Sequence, residues 1–120
     1  MLHAGLTALE QAVMEMLLRG DDPTLSILRE QLQRASVASR DMTGVGFMTV
    51  FSVSDDVPRT PKDSFAFGDV KAELSGLQNG AGFVVFVRAG KLDSLEGHTY
   101  DEPWPAGEFV FKLKYNAANR

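Results

Sequence analysis

The sequence predicts an α+β domain in which two N-terminal helices pack on one face of a mainly antiparallel sheet of about five strands. Three observations predict it. Apolar residues recur at helical spacing only ahead of Ser36, alternating apolar runs bounded by turn residues follow it, and no helical stretch lies between those runs to carry a parallel crossover. With 120 residues, the chain fits one domain, 1–120, able to remove roughly two-thirds of its unfolded surface from water.

Leu6, Leu9, Val13, Met16 and Leu17 share one helical face, Thr7 and Glu10 stand at capping-box spacing, and Gly20 supplies a stop, which predicts a helix over about 6–19. Asp22-Pro23 then offers an N-cap and a proline at the first helical position. Leu25, Leu28, Leu32 and Ala35 continue the pattern, giving a second helix over about 23–35. The link Gly20-Asp21-Asp22 is short enough to force an αα-hairpin or a corner.

From Ser36 the period changes. Val37 to Met42 is a candidate short strand, Thr43-Gly44 a turn, and 45–53 a strand whose centre, with Met48 and Val50 on one side and Phe47 and Phe51 on the other, is apolar on both faces. Asp55, Asp56, Pro58, Pro61 and Asp63 make Ser54 to Ser64 an exposed loop. In 65–74 the alternation changes phase at Gly68-Asp69, the sign of a strand bent by a bulge. Gly76 to Gly82 turns the chain, and 83–88 and 92–96 form a hairpin about Ala89-Gly90. In the last strand, 109–115, Phe109, Phe111, Leu113 and Tyr115 alternate with Val110, Lys112 and Lys114, and Asn116 to Arg120 is expected to fray. The side chains of Phe47, Phe51, Phe83, Phe86, Phe109 and Phe111 are expected to be mostly buried and to dominate the core.

Sixteen acidic against 12 basic side chains leave a formal net charge of -4. No basic run exceeds Lys112-Leu-Lys114, which argues against nucleic acid as a partner. The absence of cysteine removes disulfides, thiolate chemistry and cysteine-held metals, and suits the cytoplasm. The opening MLHAGLTALEQAVMEMLLRG has no positive leading region and carries Glu10 and Glu15 inside its apolar stretch, so no export signal is expected. No run of apolar residues is long enough to predict a membrane span.

The stretch Asn79 to Pro105 joins the apolar hairpin to a segment crowded with ionisable and aromatic groups. Glu96-Gly97-His98, with Asp101 and Glu102 nearby, contains the minimum for general acid-base work or a hard-metal site. A transition metal wants a second histidine, and His3 lies in a terminus expected to be mobile, so a solvated turn is the favoured reading and neither metal nor cofactor is expected. Ser94 is the nearest nucleophile in sequence, but there is no G-x-S-x-G elbow, and Gly44-Val45-Gly46 and Gly80-Ala81-Gly82 open no helix that could receive a phosphate. No catalytic residue is therefore assigned. Tyr100-Asp101-Glu102-Pro103-Trp104-Pro105 suits either a preorganised recognition surface or a plug in which Trp104 folds back over the end of the sheet, and the two can coexist.

Four segments in this order, TGVGFMTVF (Thr43 to Phe51), FGDVKAEL (Phe67 to Leu74), NGAGFVVFV (Asn79 to Val87) and LEGHTYDEPWP (Leu95 to Pro105), resemble a group of small bacterial proteins, some encoded among polymorphic toxin and immunity genes. The resemblance covers most of the chain after Leu6. It implies a bacterial cytoplasmic protein with an immunity-type or other protein-binding role, and brings no reaction or cofactor.

The resulting expectation is a non-enzymatic module that binds another protein, basic in character, through Glu96, His98, Tyr100, Asp101, Glu102 and Trp104, with Asp55, Asp56 and Asp63 adding charge. The alternative is a small-ligand binder or hydrolase-like enzyme with a pocket near Glu96 and His98. A homodimer seam through apolar positions facing away from the helices, Met48 and Val50 among them, is a third possibility.

Overall fold

In the computed structural model, which describes residues 5–107 and 109–115, helix α1 (Ala8–Leu17) begins where Thr7 and Glu10 exchange hydrogen bonds. Glu10 N donates to Thr7 Oγ1 at 3.1 Å and Thr7 N to Glu10 Oε1 at 2.9 Å, which satisfies two of the amides a helix start leaves unpaired. Helix α2 (Pro23–Arg34) starts at the cap Asp22, whose Oδ1 accepts from Thr24 N at 2.8 Å. Arg29 closes the corner between them by donating to Leu18 O at 2.5 Å and Gly20 O at 3.0 Å. Both helices lie within the spans their periodicity predicts. No described helix is long and apolar enough to cross a membrane. His3 and the tail Asn116 to Arg120 fall outside the described residues.

Six strands follow: β1 (Ser36–Met42), β2 (Gly46–Ser52), β3 (Phe65–Leu74), β4 (Ala81–Arg88), β5 (Lys91–Thr99) and β6 (Phe111–Tyr115). They form one sheet in the order β1-β2-β5-β4-β3-β6, with every neighbouring pair antiparallel. The architecture is α+β, as the sequence predicts, with one strand more than about five. The added strand is β1, an exposed edge whose Ser-Val-Ala-Ser-Arg-Asp-Met run has no clear alternation.

Boundaries moved for local reasons. Strand β5 runs on past Glu96 to Thr99 because it is held on both sides, His98 pairing with Gly46 of β2 and Gly82 of β4. Gly97 within it would weaken an ordinary strand. Here it admits the Phe47 ring, since a Cβ at Gly97 would lie 2.7 Å from Phe47 Cε1. Strand β6 starts at Phe111, not at Phe109, because Val110 is engaged with Ser75: Val110 N donates to Ser75 Oγ and Ser75 N to Val110 O, both at 2.9 Å. The bulge in β3 falls between Phe67 and Val70, where the phase change placed it.

The β4-β5 hairpin turns through Ala89 (φ 54) and Gly90 (φ 74), both left-handed, the conformation of a type I′ turn. Arg59 Nη1 donates to Ala89 O at 2.9 Å, Thr60 N to Gly90 O at 3.0 Å and Gly90 N to Asp63 O at 2.7 Å, so the Ser54 to Ser64 loop clamps the turn. Alanine pays a steric cost there that asparagine largely avoids. Ala89→Asn is expected to raise stability by about 0.5–1 kcal/mol in urea denaturation, while Ala89→Val, β-branched, lowers it.

The core lies between the helices and one sheet face, where Leu9, Val13, Met14, Leu17 and Leu28 meet Phe47, Phe51, Phe83, Val85 and Leu95. Of the six phenylalanines expected to be mostly buried, Phe47, Phe51 and Phe83 are. Phe109 and Phe111 are half-buried, and Phe86 is half-buried because its position in β4 turns it to the other face.

Candidate functional site

Alternation along β5 sends Ser94, Glu96 and His98 to the face away from the helices. Their cross-strand partners form rows there: Val50, Ser94, Phe86 and Ala66; then Met48, Glu96 and Val84; then Gly46, His98, Gly82, Lys71 and Lys114. Met48, Val50, Val84 and Phe86 are half-buried, while the buried cluster that includes both helices occupies the opposite side.

Tyr100, just beyond β5, leans back over Gly82, where a Cβ would lie 2.5 Å from Tyr100 Oη and 3.0 Å from His98 Nε2. The missing side chain is therefore what lets both rings lie close to the sheet. The rings meet edge-on at 5.4 Å and 84°, and Lys71 Nζ stands 6.0 Å from the Tyr100 centroid. His98 Nδ1 is 3.8 Å from Glu96 Oε1, too far for a hydrogen bond, and is buried without a partner among the described residues. Ser94 is buried and donates to Asp93 Oδ2 at 3.1 Å, so it is not held by His98 as a nucleophile would be.

The remaining expected site residues go elsewhere. Asp101 is exposed, at φ 63. The Glu102 carboxylate accepts from Gln78 N at 3.0 Å and Asn79 N at 2.8 Å, which ties the segment to the turn before β4. Trp104 crosses to the helix side and packs edge-on against Phe47 (5.3 Å, 86°) and Phe109 (6.0 Å, 85°), its amide donating to Gly44 O at 2.8 Å. The structure thus brings Glu96, His98 and Tyr100 together and separates Glu102 and Trp104 from them.

The loop carboxylates are also engaged. Asp55 meets Lys91 Nζ at 2.7 Å and Arg59 at 3.5 Å, and the Lys91 hydrogen bond, then both charges, holds it below the ordinary carboxylate range. Asp56 is lowered by the Ser54 hydroxyl and by Arg34 at 3.2 Å. Asp63 accepts from Ser64 Oγ at 2.8 Å.

A second feature lies on the helix side, where the start of α1, the rim of β1 and β2 and the loop after Trp104 enclose a crevice of about 700 Å³. Leu9, Met42, Phe47, Trp104, Phe109 and Phe111 supply its apolar lining, and Glu10 and Arg40 its charges. Glu10 is 1 % exposed. Arg40 donates Nε to Glu10 Oε2 at 2.8 Å, and Nη2 to Glu10 Oε1 at 2.5 Å and to Gly5 O at 2.7 Å. The Thr49 hydroxyl donates to Glu10 Oε2. Burial, the largest influence on Glu10, pushes its pKa up, but the hydrogen bonds from Arg40, Thr49 and Thr7 and the guanidinium charge together outweigh it and leave the carboxyl below its ordinary 4.5. The same carboxylate raises Arg40. Sequence reasoning missed this centre because the capping box already accounted for Glu10, and Arg40 sits in a polar edge strand without a motif.

Two further hollows, about 520 Å³ between α1 and α2 and about 200 Å³ beside β3, are lined by other residues. None of the three includes Glu96 or His98, so the alternative pocket at those residues has no cavity among these. No group of three or more His, Asp or Glu side chains poised for a metal occurs among the described residues. Compared with protein-family models, curated proteins and solved structures, the chain matches none.

Proposed function

We propose that this chain is a non-enzymatic module that binds another protein through the open face of its sheet, with Met48 and Val50 on one side and Val84 and Phe86 on the other flanking Glu96, and His98 and Tyr100 beyond it. One observation carries the reading: on the face away from the helices, Met48 and Val50 of β2 and Val84 and Phe86 of β4 are apolar and only half-buried, on either side of Ser94 and Glu96 of β5. An antiparallel sheet facing only water is normally polar on that side, and covering apolar surface gains roughly 25 cal/mol per Å². Tyr100 and His98 add rigid amphipathic contact area of the kind that anchors interfaces.

Lys71 and Lys114 share this face with Glu96, so the partner surface is amphipathic with both signs of charge. Support for a mainly basic partner is reduced, since Asp55 and Asp56 already have cationic neighbours and Glu102 caps backbone amides. An immunity-type inhibitor working in a bacterial cytoplasm is the form of this role that the four resembling segments favour.

A photo-crosslinking benzoylphenylalanine in place of Val84, in cells that make the protein natively, is expected to trap one heterologous protein. The same group in place of exposed Gln33 on α2 is not. No adduct from the Val84 position, an adduct only with a second copy, or equal adducts from both positions would overturn the reading.

A further inference from the structure

We infer that the crevice between the start of α1 and the loop after Trp104 binds a small neutral molecule with an apolar body and a carbonyl oxygen, such as a ketone, ester or amide, held by the outer nitrogen of Arg40. Its volume, about 700 Å³, lies within the roughly 300–1,000 Å³ of small-molecule sites, and apolar walls with a few convergent polar groups are their usual composition.

The polar end selects the ligand's chemistry by what it leaves unused. Glu10 accepts four hydrogen bonds, two at each oxygen: Thr7 N and Arg40 Nη2 at Oε1, and Thr49 Oγ1 and Arg40 Nε at Oε2. Its acceptor capacity is filled. Arg40 spends Nε and Nη2 on Glu10 and Gly5, and its Nη1 has no acceptor among the described residues. The free polar group is thus a donor, and the ligand must bring an acceptor. Because Glu10 already neutralises the guanidinium, a carboxylate ligand would meet the buried Glu10 charge without an unmatched cation to offset it, whereas a neutral carbonyl meets no such repulsion. The aromatic walls around Phe47 and Trp104 fit an apolar body.

Trp104 is the single tryptophan of the chain and lines the crevice, so its emission reports occupancy directly. Titration of the intact protein with 2-octanone is expected to change Trp104 emission saturably and to shift the Arg40 side-chain ¹⁵N resonances. Octanoate should bind about tenfold more weakly. Ala8→Phe, at an exposed lining position, should fill the mouth and weaken 2-octanone binding about tenfold with the thermal midpoint unchanged. Should that variant lose stability, Ala106→Phe, also exposed and lining, makes the same comparison. The proposal is overturned if neither probe gives a saturable change, if octanoate binds as tightly as the ketone or more so, if the Arg40 resonances stay still, or if the blocked variant binds as well as the native protein.

Discussion

Replacing Arg40 with methionine is expected to cost about 3–5 kcal/mol of folding stability, because it strands the Glu10 carboxylate in the interior without its counter-charge. Glu10 is 1 % exposed and takes hydrogen bonds from Arg40 Nε at 2.8 Å and Nη2 at 2.5 Å. The pair joins α1 to β1, so the loss should appear as a lower urea midpoint with little change in slope. The pH dependence separates this cause from simple loss of packing. With its folded pKa held below 4.5, Glu10 contributes stability that is present above that value and lost as pH falls through the lower folded one. In Arg40→Met burial persists while two hydrogen bonds and the charge are gone, so the carboxyl titrates higher and proton uptake relieves it. The gap between the two proteins should therefore be widest at neutral pH and narrow in acid. A gap that does not vary with pH would show that the guanidinium acts through its methylenes alone. Glu10→Leu combined with Arg40→Met should recover only part of the loss, since no charge is then stranded but the Thr49 hydroxyl and Thr7 N lose their acceptor.

Gln31→Leu is expected to cost about 2–4 kcal/mol by the same urea measurement, although it places an apolar residue at a buried site. Gln31 is fully enclosed. Its Nε2 donates to Pro58 O at 2.8 Å and Gly90 O at 2.9 Å, and its Oε1 accepts from Leu92 N at 2.8 Å. One amide thus joins α2, the loop after β2 and the β4-β5 turn. Gly90 O keeps a second donor in Thr60 N, so the penalty falls on Leu92 N and Pro58 O. If the leucine variant matched the native protein in stability, those two groups would have found other partners and the amide's joining role would be refuted.

Neither residue stood out in the sequence, for an identifiable reason. Periodicity reports which face of an element is apolar, and a lone polar residue on that face, such as Gln31, is indistinguishable from noise until its partners from distant segments are present. What could be seen was local. Thr7, Glu10, Asp22 and Pro23 marked the helix starts, Ala89-Gly90 the hairpin turn, and the lost phase at Gly68-Asp69 the bulge. Strand order could not be seen, because β2 joins β5 through tertiary pairing that no adjacent residue encodes. Nor could the division of the Glu96 to Trp104 segment. Strand alternation fixes the side taken by Glu96 and His98, but β5 ends at Thr99, and beyond it Tyr100 and Trp104 go to opposite sides according to which surface offers room: Gly82 for the tyrosine, the rings of Phe47 and Phe109 for the indole.

The order β1-β2-β5-β4-β3-β6 also bears on how the chain meets the ribosome. Everything up to β2 emerges before the strand that must lie beside it, and Phe47 and Phe51 have no central neighbour until β5 follows. At roughly 5–20 residues per second, translation leaves that half incomplete for several seconds. Until then β2 has only β1 beside it, and the β4-β5 hairpin supplies the strand that covers its other edge.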